Sequence, residues 1–90
     1  MSSPLSQEIA KLASEARSRR IHERQIISEL TMIVGYAYLA ESQSHYWNAL
    51  RKHLQVFSDL ACEQYPVLCE YSLKILHTVG ERNLKERGLN

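Results

Sequence analysis

Four arginines and one glutamate lie between residues 17 and 24 and give this stretch a local charge of +3, four positive charges less one negative. Arg17, Arg20 and Arg24 are spaced by three and four residues, which would place them on one face of a helix. A guanidinium suits both phosphate and carboxylate groups. These arginines therefore predict phosphate contact or electrostatic steering of an acidic partner. The alternative is a solvated face with local ion pairs such as Glu15–Arg19.

The cysteines and histidines do not predict a metal site. Cys62 and Cys69 are separated by six residues, whereas a metal site usually has a closer cysteine pair and two further ligands nearby. The histidines are scattered along the chain. We therefore expect no metal and interpret both cysteines as small buried side chains at a turn between helices. A disulfide is compatible with this position, but nothing in the sequence requires one.

Enzyme chemistry is not indicated either. The sequence has no serine–histidine–acid order, no paired carboxylates and no glycine-rich phosphate loop. Small all-helical chorismate mutases have this size, but they need several cations inside an apolar bundle, and no lysine or arginine occurs from Leu30 to Ala40. We expect no catalytic residues, no cofactor and no small-molecule substrate.

Composition and charge indicate a single soluble domain, residues 1–90. A hydrophobic content of 44% with 23% charged residues is ordinary for a globular chain, and the net charge of +1 neither favours nor excludes nucleic acid. The longest uncharged stretch, "LTMIVGYAYLA", is too short to span a bilayer, so no membrane association is expected. The opening residues do not resemble a signal peptide. Two cysteines without such a signal fit a reducing compartment, and the cytoplasm is the predicted location.

Helical periodicity dominates, and only three glycines and two prolines are present. We therefore predict an all-α fold, a compact bundle of three to four helices that can include a long central helix. The first helix is expected to start with Ser3 as its N-cap and Pro4 at its first position. No clear breaker separates the first two helices, so one long fused helix is an alternative, but a kink or short break near residues 18–21 is favoured. The predicted helix has one narrow apolar stripe: Leu5, Ile9, Leu12 and Ala16.

The second predicted helix, from about residue 22 to 41, is apolar on two sides, which is typical of a central helix with neighbours on both. Gly35 would let another backbone approach closely. The wider stripe consists of Ile26, Ile27, Leu30, Ile33, Val34 and Ala37. The stripe on the far side consists of Met32, Tyr36 and Leu39.

The third predicted helix runs from His45 to about Gln64, with Ser44 as its N-cap. Trp47 is expected at the edge of its core stripe. That stripe consists of Tyr46, Leu50, Leu54, Phe57 and Ala61. A second, opposed stripe, which should face water unless a partner covers it, consists of Ala49, His53, Val56 and Leu60. Pro66 opens a fourth helix, and a polar tail from about residue 80 to 90 is expected to fray.

The segment "QSHYWNAL", an amphipathic helix, a proline turn and a further helix together resemble a tetratricopeptide-type repeat hairpin. Tyr46, Ala49 and Leu50 match the opening of that family's second helix, and Ala37 stands where the first helix needs a small residue. No full 34-residue period repeats in the chain. Further departures are the late Pro66 and the replacement of the usual aromatic residue and alanine by His53 and Val56.

The segment "YWNAL…PVLCEYSLKIL" is also similar to the small helical-repeat chaperones of bacterial secretion systems, and the likeness covers about half of the chain. The resemblance implies a concave helical surface that binds a peptide or a helix.

A helix-turn-helix is a weaker interpretation. The best frame places Ala40 and Ser44 at the small positions and Leu50 at a later apolar one. It then puts Gln43 and His45 where apolar residues should pack.

The two extra apolar stripes exceed what a 90-residue monomer can readily cover, and such stripes indicate a protein interface. We predict a small adaptor, chaperone or regulator that binds another protein, or a second copy of itself, with the arginines steering an acidic partner. The alternative is a dimeric nucleic-acid-binding regulator that uses Arg17, Arg20 and Arg24. The predicted partner-binding residues are Met32, Tyr36, Leu39, Ala49, His53, Val56 and Leu60.

Overall fold

Four α-helices follow one another along the chain in the computed structural model, which describes the backbone of residues 4–86 and the side chains of residues 5–81. They pack as an all-α bundle, as the sequence predicts. The longest, α4, has 21 residues. The elements are α1 Pro4–Ser18, α2 Arg24–Ser42, a short 3₁₀ turn Ser44–Tyr46, α3 Trp47–Gln64 and α4 Pro66–Glu86.

The core lies between one apolar stripe of each helix. The stripe predicted for α1 is confirmed, because all four of its members are buried. Helix α3 makes its most extensive contacts with α4 and α2, and α1 packs mainly on α4. Each fully buried leucine or phenylalanine stabilises the fold by about 1.5–3 kcal/mol. Helix α3 contributes Leu50, Leu54, Phe57 and Ala61 to this core.

A short break separates α1 from α2, as predicted. Arg20 has a φ of 53°, in the left-handed region, and its N–H donates to the Arg17 carbonyl over 3.0 Å. A left-handed residue just after a helix commonly ends it. The premise that Arg17, Arg20 and Arg24 share one helical face is therefore wrong: Arg17 lies in α1, Arg20 in the connecting loop and Arg24 at the start of α2.

Helix α2 has neighbours on two sides, as predicted. It packs against α1 and α3 through Ile26, Ile33, Ala37 and Ala40. Its remaining side faces solvent, and Ile27 and Val34, which the sequence assigns to the core, are each 45% exposed. Every helix has two neighbours in this way, because α1 also packs on α4, and α3 makes the most extensive contacts.

Helix α3 begins two residues later than predicted. Residues 44–46 form a 3₁₀ turn, and no side-chain hydrogen bond caps either this turn or α3 within the described residues. Because α3 starts at Trp47, that residue continues the spacing of Leu50 and Leu54. Trp47 is therefore a core residue with 2% exposure, and Tyr46 is only half-buried.

A single residue, Tyr65, connects α3 to α4. Its backbone (φ −131°, ψ 83°) lies outside the α region, which a following proline disfavours, and Pro66 takes the first helical position as predicted. Across this turn Cys62 and Cys69 form a disulfide with a Cα–Cα distance of 4.6 Å. The sequence leaves this disulfide open, but its interpretation of both cysteines as buried side chains is wrong, since Cys62 is exposed and Cys69 half-buried.

Helix α4 continues through Gly80 to Glu86, whereas the sequence predicts a frayed tail from about residue 80. Residues 87–90, and Ser3 as the predicted N-cap of α1, lie outside the described residues. No helix in the described part of the chain has the length and hydropathy needed to cross a membrane.

The two loops at one end of the bundle are joined by a hydrogen bond. The Tyr65 hydroxyl donates to Glu23 Oε1 over 2.7 Å, which ties the α1–α2 loop to the α3–α4 turn. A hydrogen bond donated by the hydroxyl favours the neutral phenol, so the bond to Glu23, together with partial burial and the negative charge of Glu23, raises the pKa of Tyr65 above its ordinary value.

Removing the disulfide should weaken the fold. The bond closes a loop between residues seven apart, and the lost constraint on the unfolded chain corresponds to about 2 kcal/mol. Urea unfolding of the Cys62→Ser, Cys69→Ser double variant should show this loss, and the wild type in excess dithiol should match it. Dithiol should leave the variant unchanged. A wild type indifferent to dithiol would contradict the disulfide.

The Glu23–Tyr65 bond should make stability fall at alkaline pH. The raised pKa means that the folded state holds the phenolic proton more tightly than the unfolded state, so this stabilisation is complete below about pH 10 and is lost as pH rises through the folded pKa. Tyr65→Phe should flatten that part of the curve in thermal unfolding against pH. Tyr71→Phe, which leaves the bond intact, is the control and should keep the wild-type slope.

Candidate interaction surface on helix α2

One side of α2 forms an exposed, uncharged face. Ile27, Thr31, Val34 and Tyr38 recur at spacings of four, three and four residues, and all of them are exposed. Tyr38 is 81% exposed, although large aromatic side chains usually bury most of their surface. We call these four residues the outer face of α2. The outer face is suited to packing against another helix, because its four side chains are uncharged and no charged side chain occurs from Leu30 to Ala40.

The predicted stripe of Met32, Tyr36 and Leu39 lies beside the outer face. Met32 is 39% exposed, and Tyr36 and Leu39 are half-buried. Together with Thr31 and Gly35 they line an open depression of about 250 Å³. We call it the Met32 depression. It shares Thr31 with the outer face, so the two form one continuous surface.

The predicted second stripe of α3 is largely half-buried within the chain. Ala49, His53 and Leu60 are half-buried, and Val56 is 40% exposed. The expectation that this stripe faces water without an external partner is therefore wrong for three of its four members. The error has a physical cause: a local spacing pattern does not show which helix of the same chain packs on a face.

His53 has a defined set of contacts on α2. Its Nδ1 lies 2.6 Å from Glu29 Oε2, and its ring stacks on Tyr36 with centroids 5.3 Å apart and planes at 16°. Tyr36 also lies 5.8 Å from the Tyr46 ring, which contacts His45 at 4.2 Å. Two predicted site residues, Tyr36 and His53, thus touch each other. Their contacts hold α2 in a fixed rotation on α3.

The predicted arginines fall into two groups. Arg17 and Arg20 line an apolar depression of about 260 Å³, and Arg24 is not among its lining residues. Among the side chains of residues 5–81, none forms a salt bridge with these three arginines, whereas Arg19 bonds to Glu15 over 3.2 Å, as predicted. The other lining residues are Ala16, Ile21, Ile26, Ile27 and Leu30.

Sequence reasoning missed the outer face as a site. The spacing assigns Ile27 and Val34 to the core, and Tyr38 belongs to neither predicted stripe of α2. A signal was present, since the uncharged run from Leu30 to Ala40 covers every side of a helix, and a surface helix can bury only part of one. Exposed Leu73 on α4, 51% accessible, was also missed.

No group of three or more histidine, cysteine or acidic side chains within the described residues could hold a metal ion. Comparison with protein-family models, curated proteins and solved structures finds no match to this chain. The resemblance to tetratricopeptide-type hairpins therefore stays a prediction.

Gly35 has no packing role that the described atoms reveal. A Cβ at this position would meet none of them within 4 Å, and the same holds for Gly80 in α4. Glycine inside a helix is less favourable than alanine by about 1 kcal/mol, and Gly35 also lines the Met32 depression.

Gly35→Ala should therefore stabilise the isolated chain, by about 0.5–1 kcal/mol from helix propensity alone. Gly80→Ala is the matched control and should give a similar gain in chemical unfolding. If Gly35→Ala destabilised the chain while Gly80→Ala stabilised it, the space beside Gly35 would be occupied in solution, and the Met32 depression would not be open.

Proposed function

We propose that this chain is a small non-enzymatic adaptor, chaperone or regulator that acts by binding another protein, or a second copy of itself, through the outer face of α2. The observation that carries this proposal is the exposure of Ile27, Val34 and Tyr38 on a helix face without charge. An apolar face at such spacing is what a partner helix packs against.

The fixed position of this face supports binding. The Glu29–His53 bond and the Tyr36–His53 stack hold α2 on α3, so the outer side chains are set before a partner arrives. A preorganised face loses little conformational freedom on association, and more of its contact energy appears as affinity. The Met32 depression widens the contact beyond a single row of side chains.

A nucleic-acid-binding regulator is the second candidate, because Arg17, Arg20 and Arg24 are exposed and form no salt bridge with a described side chain. Their separation over α1, the loop and α2 weakens the case for a regular phosphate-binding face. Binding through phosphates falls log-linearly with salt, whereas binding through an apolar face changes little. A salt titration of a labelled DNA duplex separates the two candidates.

The cytoplasmic location also remains a proposal. The sequence predicts it because the two cysteines fit a reducing compartment, whereas the Cys62–Cys69 disulfide is typical of an oxidising environment. The proposed chaperone role rests on the predicted likeness to secretion chaperones. The proposed roles of adaptor and regulator rest on the α2 surface alone.

Charge on the outer face should weaken binding without unfolding the chain. Val34→Glu with Tyr38→Glu should weaken partner capture by about 2 kcal/mol, roughly thirty-fold, because a glutamate there must be desolvated. Stability should change by only about 0.5 kcal/mol per exposed site. A photo-crosslinking amino acid at position 38, introduced in the native host, gives the direct measurement.

Leu73 provides the matched control, since it is an exposed apolar residue on α4, away from α2. Leu73→Glu should leave capture unchanged, and a crosslinker at position 73 should not yield the product formed from position 38. Equal products from both positions, or unchanged capture by the α2 variant, would contradict the proposal.

A further inference from the structure

The exposed side of α2 extends beyond its apolar residues and ends in opposite charges. Arg24 lies three residues before Ile27, and Glu41 lies three residues after Tyr38; both are exposed. The complete row has spacings of three, four, three, four and three, the pattern of a two-helix coiled-coil contact. We call this row the α2 seam: Arg24, Ile27, Thr31, Val34, Tyr38 and Glu41.

The seam is complementary to itself when reversed. Its members are placed symmetrically about the midpoint between residues 32 and 33, so each residue has a counterpart at the same distance on the other side. In an antiparallel pair of α2 helices a positive end would meet a negative end twice, by symmetry. The facing layers would be Arg24 with Glu41, Ile27 with Tyr38, and Thr31 with Val34.

The two terminal charges are unfavourable for α2 by itself. The N-terminus of a helix carries a partial positive charge and the C-terminus a partial negative one. Helix α2 has no acidic residue in its first turn and no basic residue in its last turn. It has Arg24 at its first position and Glu41 one residue before its end. In an antiparallel pair each of these charges would lie beside the oppositely charged end of the other helix.

Small side chains flank the seam on the side of the Met32 depression. Ser28, Gly35 and Ser42 recur every seven residues there, and a Cβ at Gly35 would meet no described atom within 4 Å. A second backbone can approach closely along such a flank. This gives Gly35 a role that packing within the described chain does not supply.

From these observations we propose that a second copy of this chain covers the α2 seam, in a symmetric dimer with antiparallel α2 helices and reciprocal Arg24–Glu41 pairs. This rests on the proposed function and specifies its partner. The seam is about 25 Å long, which corresponds to a small interface and a dimer of modest affinity.

The test uses charge reversal in the full chain. Arg24→Glu places two glutamates at each end of the interface, and Glu41→Arg places two arginines there. Each single variant should weaken the dimer about ten-fold or more in sedimentation experiments. Arg24→Glu should nevertheless raise the melting temperature of the dilute monomer, because a glutamate at the start of α2 suits the dipole of this helix. Opposite effects on association and stability separate interface loss from misfolding.

Mixing the two single variants gives the decisive result. At one end of the mixed pair, the glutamate introduced at position 24 would face the arginine introduced at position 41 of the other chain. At the other end the native Glu41 would face the native Arg24, so the mixture should form a heterodimer in native mass spectrometry. The double variant should form a homodimer again. Reversal of Lys52, an exposed charge on α3, is the control and should leave the dimer unchanged.

Three results would overturn the inference: a wild type that is monomeric at high concentration, a dimer indifferent to both reversals, or single variants that do not recover on mixing. These results leave the proposed function to be judged separately. A monomer whose position 38 crosslinks to a different protein would keep the proposed function and reject the dimer. A monomer with no product at position 38 would reject both.

Discussion

The packing of α2 on α3 determines which side chains of this protein are available to any partner. Ile33 and Ala37 anchor the buried side of α2 in the core. At the edge of that contact, Glu29 bonds to His53 and Tyr36 stacks on the same ring. These contacts oppose rotation of the helix. A rotation of α2 about its axis by about 100°, the angle between successive residues, would bury Ile27 in place of Ile26 and separate Glu29 from His53. The exposed face is therefore a consequence of how α2 is held.

The sequence predicts the helices better than the surfaces they present. The stripe of α1 is narrow, so only one orientation can bury it, and its prediction is confirmed. Helix α2 is apolar on nearly every side, and its periodicity allows several orientations of similar burial. Only contact with α3 selects among them, so spacing alone cannot separate Ile27 and Val34 from Ile26 and Ile33.

Two further errors arise, one from a contact distant along the chain and one from an unusual backbone conformation. The spacing predicts that His53 faces water, but its partner Glu29 lies 24 residues earlier, and a pattern within α3 contains no information about it. The break after α1 is predicted correctly, yet Arg20 has none of the usual features of a left-handed residue. The three arginines lose their shared face for this reason, and with it most of the argument for phosphate binding.

The charges of α2 and its apolar face are best understood together. An isolated helix would be more stable with an acidic residue at its start and a basic residue at its end, by about 0.3–1 kcal/mol each. It would also be more soluble without three large exposed apolar side chains in one row. Each feature is unfavourable for an isolated α2 helix, and the same arrangement offsets both. A second α2 helix that runs in the opposite direction covers the apolar row and places opposite charges at its two ends. A partner of another sequence would need an apolar row and charges complementary to those of α2, and a second copy of this chain already has both.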